Sequence, residues 1–246
     1  MDSILALFDR MDDWRHFPNY QLERRADILF SLYIPEALEA KLGFPVLPTL
    51  APEFPVRIGT IYPDIPTDKS YKIDYLAMSA SGDKSILVEL KTEGLSRRVS
   101  QDKYLVASQN AGLPLLLEGL LDIFRATEAK RKYFAFLLHL ERMGLLGIPD
   151  ELKAIMAGDN LQGASAASHG VQVLAECTER PLVIYIQPSG DGPYVLSFHE
   201  FARTVQKHGD AVSKRFARSL REWADVQAGD WSSNKRFDLT RLGPAS

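Results

Sequence analysis

Hydrophobic positions along the chain follow two spacings, one typical of helices and one typical of strands. Apolar residues three and four positions apart predict amphipathic helices, and short runs of aliphatic, aromatic and β-branched residues predict strands. The predicted helices span residues 2–12, 20–33, 35–43, 96–110, 113–126, 149–157, 200–207 and 210–223. The predicted strands span residues 56–62, 71–78, 85–91, 132–139, 181–187 and 194–199. Because the two kinds of element are interspersed, the pattern predicts an α/β fold with a central mixed β-sheet flanked by helices and a C-terminal helical extension.

Residues 71–91 predict a β-hairpin, with the turn-forming sequence SASGDK between two strands. If the turn is centred on Ser81-Gly82, Asp74 lies directly opposite Glu89, with the two Cβ atoms about 5 Å apart. Two carboxylates at that distance repel each other unless a cation lies between them. The register therefore predicts a divalent-metal site, with Lys91 on the same face as Glu89. A turn with an odd number of residues would put the carboxylates on opposite faces, and the hairpin would then carry ordinary surface charges.

Asp74 followed by Glu89-Leu90-Lys91 resembles the catalytic signature of the PD-(D/E)xK nuclease superfamily, also called restriction-endonuclease-like. The predicted order over about residues 19–140 is similar too: a helix with an acid, three strands, a helix and a strand. The resemblance implies a restriction-endonuclease-like core and metal-dependent hydrolysis of phosphodiester bonds in nucleic acid, in DNA rather than RNA. It also implies Mg²⁺ or Mn²⁺ bound by Asp74, Glu89 and the Leu90 carbonyl, with Lys91 stabilising negative charge. The alternative is a module that keeps this fold and binds nucleic acid or protein without cleavage.

Residues on the two flanking helices extend the predicted site. Related nucleases often place a glutamate on the helix before the sheet, and Glu23 occupies that position. They often place a glutamine on the helix after the Glu-x-Lys strand, where Gln101 stands. Tyr104 follows Gln101 by three positions, which departs from the four-residue spacing of the exonuclease branch and leaves the subfamily open. Tyr104 itself is expected to pack in the helix core. The basic residues around the start of this helix are expected to contact phosphates. They are Arg97, Arg98 and Lys103.

Composition limits these interpretations. The chain has 246 residues, 46% of them hydrophobic, which suits one domain over residues 1–228, with a core at about 19–140, further elements at 141–228 and a polar tail at 229–246. The net charge of −3 gives no general affinity for nucleic acid, so local basic patches must supply it. A single cysteine, Cys177, excludes a disulfide framework and a cysteine-based zinc site. No secretory signal or membrane-length apolar run is present, so a cytoplasmic protein is expected, and a homodimer would suit cleavage of both strands of a duplex.

Overall fold

The computed structural model describes residues 3–17, 19–92 and 99–228. Within those ranges none of the helices is both long and apolar enough to cross a membrane. The helices that precede the last sheet strands are α1 (Ser3–Trp14), α2 (Leu22–Ser31), α3 (Ile34–Leu42), α4 (Ile58–Ile61), α5 (Val99–Ala111), α6 (Leu113–Ala126), α7 (Lys130–Arg142), α8 (Asp150–Ala157) and α9 (Ala164–Ala167). The C-terminal helices are α10 (Phe198–Gln206) and α11 (Ala211–Ala228).

A five-stranded mixed sheet forms the centre of the fold. Its strands are β1 (Ala51–Arg57), β2 (Ser70–Met78), β3 (Ser85–Leu90), β6 (Leu182–Gln187) and β7 (Val195–Ser197), in the spatial order β1-β2-β3-β6-β7. The first three strands are antiparallel neighbours, whereas β6 and β7 join the sheet in parallel. A separate two-stranded sheet pairs β4 (Leu146–Gly147) with β5 (Gln172–Val173). The prediction of an α/β fold with a central mixed sheet and flanking helices is therefore confirmed.

Two of the predicted strands are wrong. Residues 132–139 lie within helix α7, which buries Phe134, Leu137 and Leu140 at helical spacing. A short, continuously apolar run does not distinguish a buried strand from a buried helix, so the periodicity was uninformative there. The strand predicted at 56–62 instead ends at Arg57, and α4 follows it at once. The strand actually begins at Ala51 and contains two prolines. An edge strand tolerates proline because one row of its N–H groups needs no partner in the sheet.

The sheet separates two hydrophobic clusters. Leu76 and Leu87 face the cluster that contains residues of α5 to α8, and Val88 and Ile184 face the cluster built with α1 to α3, α10 and α11. All six residues of β3 are buried, because this strand has neighbours on both edges and helices on both faces. The C-terminal helices are part of the second of these clusters, to which Phe198, Phe216 and Trp223 belong. The Trp223 indole N–H also donates to Asp12 Oδ1 on α1 at 2.7 Å.

The hairpin has the predicted register. Its pairs run from Met78–Ser85 to Tyr75–Val88, so positions that sum to 163 face each other, as they do for a turn centred on Ser81-Gly82. Gly82 has a φ of 77°, a left-handed conformation that glycine adopts without steric cost. The observed pairs end at Tyr75–Val88, one position before Asp74 and Glu89.

Candidate functional site

Asp74 lies at an irregularity in the sheet. The β1–β2 pairs include Pro52–Tyr75 and Phe54–Ile73 but omit the intervening pair, Glu53–Asp74. Glu53 has a φ of 50°, a left-handed conformation that is unfavourable for a residue with a Cβ atom. The side-chain alternation also shifts here, because Ile73 and Tyr75 pack into clusters on opposite sides of the sheet. At this break the Asp74 carboxylate turns toward β3, where it accepts a hydrogen bond from the Leu90 amide at 2.6 Å.

Glu89 is a buried carboxylate surrounded by donors. Only 2% of the residue is exposed. Its Oε1 atom accepts hydrogen bonds from Lys91 Nζ at 2.9 Å and from Gln101 Nε2 at 3.0 Å. The Tyr104 hydroxyl lies 3.4 Å from Oε1 and 3.5 Å from Oε2. Burial raises the pKa of Glu89, and although Lys91 and Tyr104 favour the ionised form, the pKa stays above its ordinary value.

Lys91 continues β3 beyond its last paired residue, and its ammonium is buried among oxygen atoms. Nζ donates to Glu89 Oε1 and to the Leu90 carbonyl, both at 2.9 Å, and lies 3.8 Å from Glu23 Oε2. Burial alone would lower the pKa of this ammonium, but the charges of Glu89, Glu23 and Asp74 outweigh that effect and raise it. Lys91 therefore carries a positive charge at neutral pH.

The cluster as a whole has more carboxylates than cations. Burial, followed by the charge of Glu89, raises the pKa of Asp74 to about 7, against the opposing effects of the Leu90 amide and Lys91. The charge of Glu23 raises it further. Three carboxylates are thus offset by one ammonium, and an added cation would relieve the repulsion between them. Within the described ranges no group of three His, Cys, Asp or Glu residues forms a metal site by itself.

The structure brings five of the predicted site residues together at the end of the hairpin. They are Glu23, Asp74, Glu89, Lys91 and Gln101. Leu90 contributes its amide to Asp74 and its carbonyl to Lys91. Lys103 is exposed on α5, and Arg97 and Arg98 fall outside the described residues.

Tyr104 is the site residue that the sequence interpretation underrated. It is buried as predicted, yet its hydroxyl also reaches Glu89. A signal was present in the sequence, because residues three apart on a helix share a face and Gln101 was already placed at the site.

Solvent reaches the cluster through two cavities. The larger, of about 800 Å³, is lined by Lys91, Gln101 and Tyr104, and the smaller, of about 270 Å³, by Asp74 and Leu90. Glu23 and Arg24 line both cavities, so α2 forms the wall between them. Asp74 and Glu23 therefore border open space, as a site for a bound molecule requires. Glu89 lines neither cavity, but its partners Lys91, Gln101 and Tyr104 line the larger one.

No family model, no curated protein and no solved structure matches this chain. Its function must be inferred from the residues at the end of the hairpin and from the cavities beside them.

Proposed function

We propose that this protein is a Mg²⁺- or Mn²⁺-dependent nuclease with a restriction-endonuclease-like core, and that it hydrolyses phosphodiester bonds in DNA. One observation carries the proposal. The Asp74 and Glu89 carboxylates, the Leu90 carbonyl and the Lys91 ammonium meet at the end of one hairpin, beside open cavities. Phosphodiester hydrolysis needs a cation-binding carboxylate pair and a positive group for the phosphate, and these residues supply both.

The donor atoms fit a hard divalent cation. Two carboxylates and a backbone carbonyl are oxygen ligands, which suit Mg²⁺ or Mn²⁺ better than zinc. The raised pKa of Asp74 supports the fit, because it indicates that the charges around Asp74 and Glu89 do not fully offset their burial and mutual repulsion. When bound, such a cation polarises the phosphate and makes a water molecule more acidic.

The surrounding side chains have distinct roles in this proposal. Lys91 stays protonated, so it stabilises negative charge on the phosphate and does not act as the general base. Gln101 holds Oε1 of Glu89 and so orients that carboxylate. Glu23 lies 3.8 Å from Lys91 Nζ, close enough to orient the ammonium toward the cleft. Gln101 and Glu23 are thus positioning residues, whereas Asp74, Glu89 and Lys91 touch the reacting groups.

A non-catalytic binding module is the second candidate, and one contact favours it. Lys91 Nζ donates to Glu89 Oε1 and to the Leu90 carbonyl, and so occupies oxygen atoms of two of the three groups that a metal would use. This internal ion pair already neutralises part of the cluster without a metal. In a binding module the same residues would hold the hairpin end together, and nucleic acid or a protein partner would bind without being cleaved.

Cleavage assays separate the two candidates. Wild-type protein, Asp74→Asn and the control Asp64→Asn, an exposed turn residue, are incubated with DNA and RNA in Mn²⁺, Mg²⁺ or EDTA. We expect Mn²⁺-dependent cleavage by wild type and by Asp64→Asn and none by Asp74→Asn. Titration calorimetry should likewise detect Mn²⁺ binding to wild type and to Asp64→Asn but not to Asp74→Asn. Wild-type cleavage rates in Asp74→Asn would refute the assignment, and nucleic-acid binding without turnover in any metal would favour the binding module.

The basic residues predicted from the sequence to contact phosphates have a separate test. Replacing Arg97, Arg98 and Lys103 with alanine is expected to weaken nucleic-acid binding. The slope of log affinity against log salt should flatten by about one for each lost phosphate contact. An unchanged slope would show that these residues are not phosphate ligands.

A further inference from the structure

The larger cavity has aromatic side chains on its wall that phosphodiester hydrolysis does not need. Phe17 is 55% exposed and Tyr71 is 37% exposed, and both line the cavity together with the half-buried Tyr20. Trp14 packs edge-on against Tyr20, with ring centroids 6.2 Å apart. Single exposed aromatic residues are common on protein surfaces, but several rings on one cavity wall are a feature of ligand sites.

One of these rings is connected to the carboxylate cluster through a stack. Tyr71 and Tyr104 lie face to face, with centroids 4.6 Å apart and planes 10° from parallel. The Tyr104 hydroxyl in turn reaches Glu89. A flat ring that stacked on the exposed part of Tyr71 would extend this arrangement by one layer. It would then be separated from Glu89 only by the two tyrosines.

Groups that attract phosphate border the same cavity. Arg24 is exposed and lines both cavities, and it forms no salt bridge with any residue in the described ranges. Ser100 and Gln101, in the first turn of α5, also line the larger cavity. A helix N-terminus favours anions, and arginine binds phosphate through charged hydrogen bonds. Aromatic rings beside such groups are the combination that binds single-stranded nucleic acids, whose bases stack and whose phosphates need cations.

We propose that this cleft takes an unpaired strand of nucleic acid, whose bases stack on Tyr71 and Phe17 and whose phosphate contacts Arg24. The inference that this strand is then cleaved rests on the proposed function. A duplex suits the cleft poorly because paired bases stack on one another and do not present free faces to side chains. The cavity of about 800 Å³ also lies in the range of clefts that enclose small ligands.

Binding without cleavage tests the proposal directly. The affinity of wild-type protein is measured in EDTA by fluorescence anisotropy, with labelled single strands of DNA and of RNA about 16 nucleotides long. A blunt DNA duplex of the same sequence is the comparison. We expect a single strand of DNA or RNA to bind at least about tenfold more tightly than the duplex, the loss associated with one base–aromatic stack.

Ring substitutions show whether stacking causes the preference. Phe17→Leu and Tyr71→Leu keep apolar side chains but remove the rings, and each should weaken single-strand binding by about tenfold. Tyr71→Phe keeps the ring and should bind like wild type. Tyr194→Leu is the matched control, because Tyr194 is 57% exposed but does not line the cavity. Far-ultraviolet circular dichroism confirms folding. Phe17→Leu is the cleaner variant, because it leaves the stack of Tyr71 on Tyr104 in place, whereas Tyr71→Leu removes it.

The outcomes separate this inference from the nuclease assignment. Equal binding of duplex and single strand, or leucine variants that bind as well as Tyr194→Leu, would overturn the inference even if Mn²⁺-dependent cleavage is observed. Ring-dependent binding of a single strand with no cleavage in any metal would support the inference and refute the nuclease. A protein that binds no nucleic acid would overturn both.

Discussion

Replacing Asp74 with asparagine removes a carboxylate whose pKa is raised by burial and by the charge of Glu89. The substitution nearly preserves the shape of the side chain. The asparagine oxygen can still accept the hydrogen bond that the Leu90 amide donates to Asp74 at 2.6 Å. Asparagine is neutral at every pH, so the variant does not experience repulsion from Glu89 at this position. Without metal, we expect Asp74→Asn to be more stable than wild type at alkaline pH.

The size of this effect follows from the pKa of Asp74. Burial and Glu89 raise it from 3.8 to about 7 in the folded protein. Between these two values the folded protein retains a proton that the unfolded chain has lost, so wild-type stability falls as pH rises from about 4 to about 7. At 1.36 kcal/mol per pH unit, the full loss is about 4 kcal/mol. From pH 5 to pH 8 the advantage of the asparagine variant should grow by up to about 3 kcal/mol.

Urea denaturation measures this difference. Unfolding free energies of wild type, Asp74→Asn and the exposed control Asp64→Asn are compared in EDTA at several pH values between 5 and 8. Adding Mn²⁺ at about a hundred times its dissociation constant should then stabilise wild type by about 2.7 kcal/mol and leave Asp74→Asn almost unchanged.

Parallel pH curves would refute this reasoning. If the difference between wild type and Asp74→Asn does not change with pH, then Asp74 is ionised normally and the carboxylate cluster is less crowded than its geometry indicates. If Asp64→Asn shows the same pH dependence as Asp74→Asn, the effect is a general one of net charge.

Three further changes test two more site residues and one helix contact elsewhere in the fold. Lys91→Ala is expected to slow Mn²⁺-dependent cleavage by about 10²-fold or more while titration calorimetry still detects Mn²⁺ binding, because the ammonium is not a metal ligand. Tyr104→Phe removes a donor from Glu89, so urea denaturation should show a loss of about 1 kcal/mol and the acid limb of the pH–rate profile should move to higher pH. Gly119→Ala would make the new Cβ overlap Thr60 Oγ1, so the unfolding free energy should fall by about 1–3 kcal/mol and partly recover with Thr60→Ala. No effect of Gly119→Ala would show that α4 and α6 pack less closely than observed.

The sequence by itself determined the hairpin. The turn and the two flanking strands lie within residues 71–91, so local turn chemistry and side-chain alternation sufficed to predict the register seen in the structure. The helix at Leu113–Ala126 was also predicted to the residue, because its apolar positions repeat at a helical period over its whole length.

Tertiary structure decided what lies next to the hairpin. β3 pairs in parallel with β6, which joins Ile86 to Leu182 across nearly a hundred intervening residues, and no local pattern specifies that partner. The periodicity of the run at 132–139 is compatible with a strand or a helix. The burial of Phe134, Leu137 and Leu140 on one face of α7 decides for the helix.

The site shows the same division. Strand alternation placed Lys91 on the face of Glu89, but the raised pKa of Asp74 comes from burial by distant segments of the chain. The cleft likewise combines Phe17, Tyr71 and Gln101, which belong to three separate parts of the sequence. Local periodicity specifies which way a side chain points, whereas burial, charge repulsion and cavity shape depend on which segments pack together, and only the folded chain determines that.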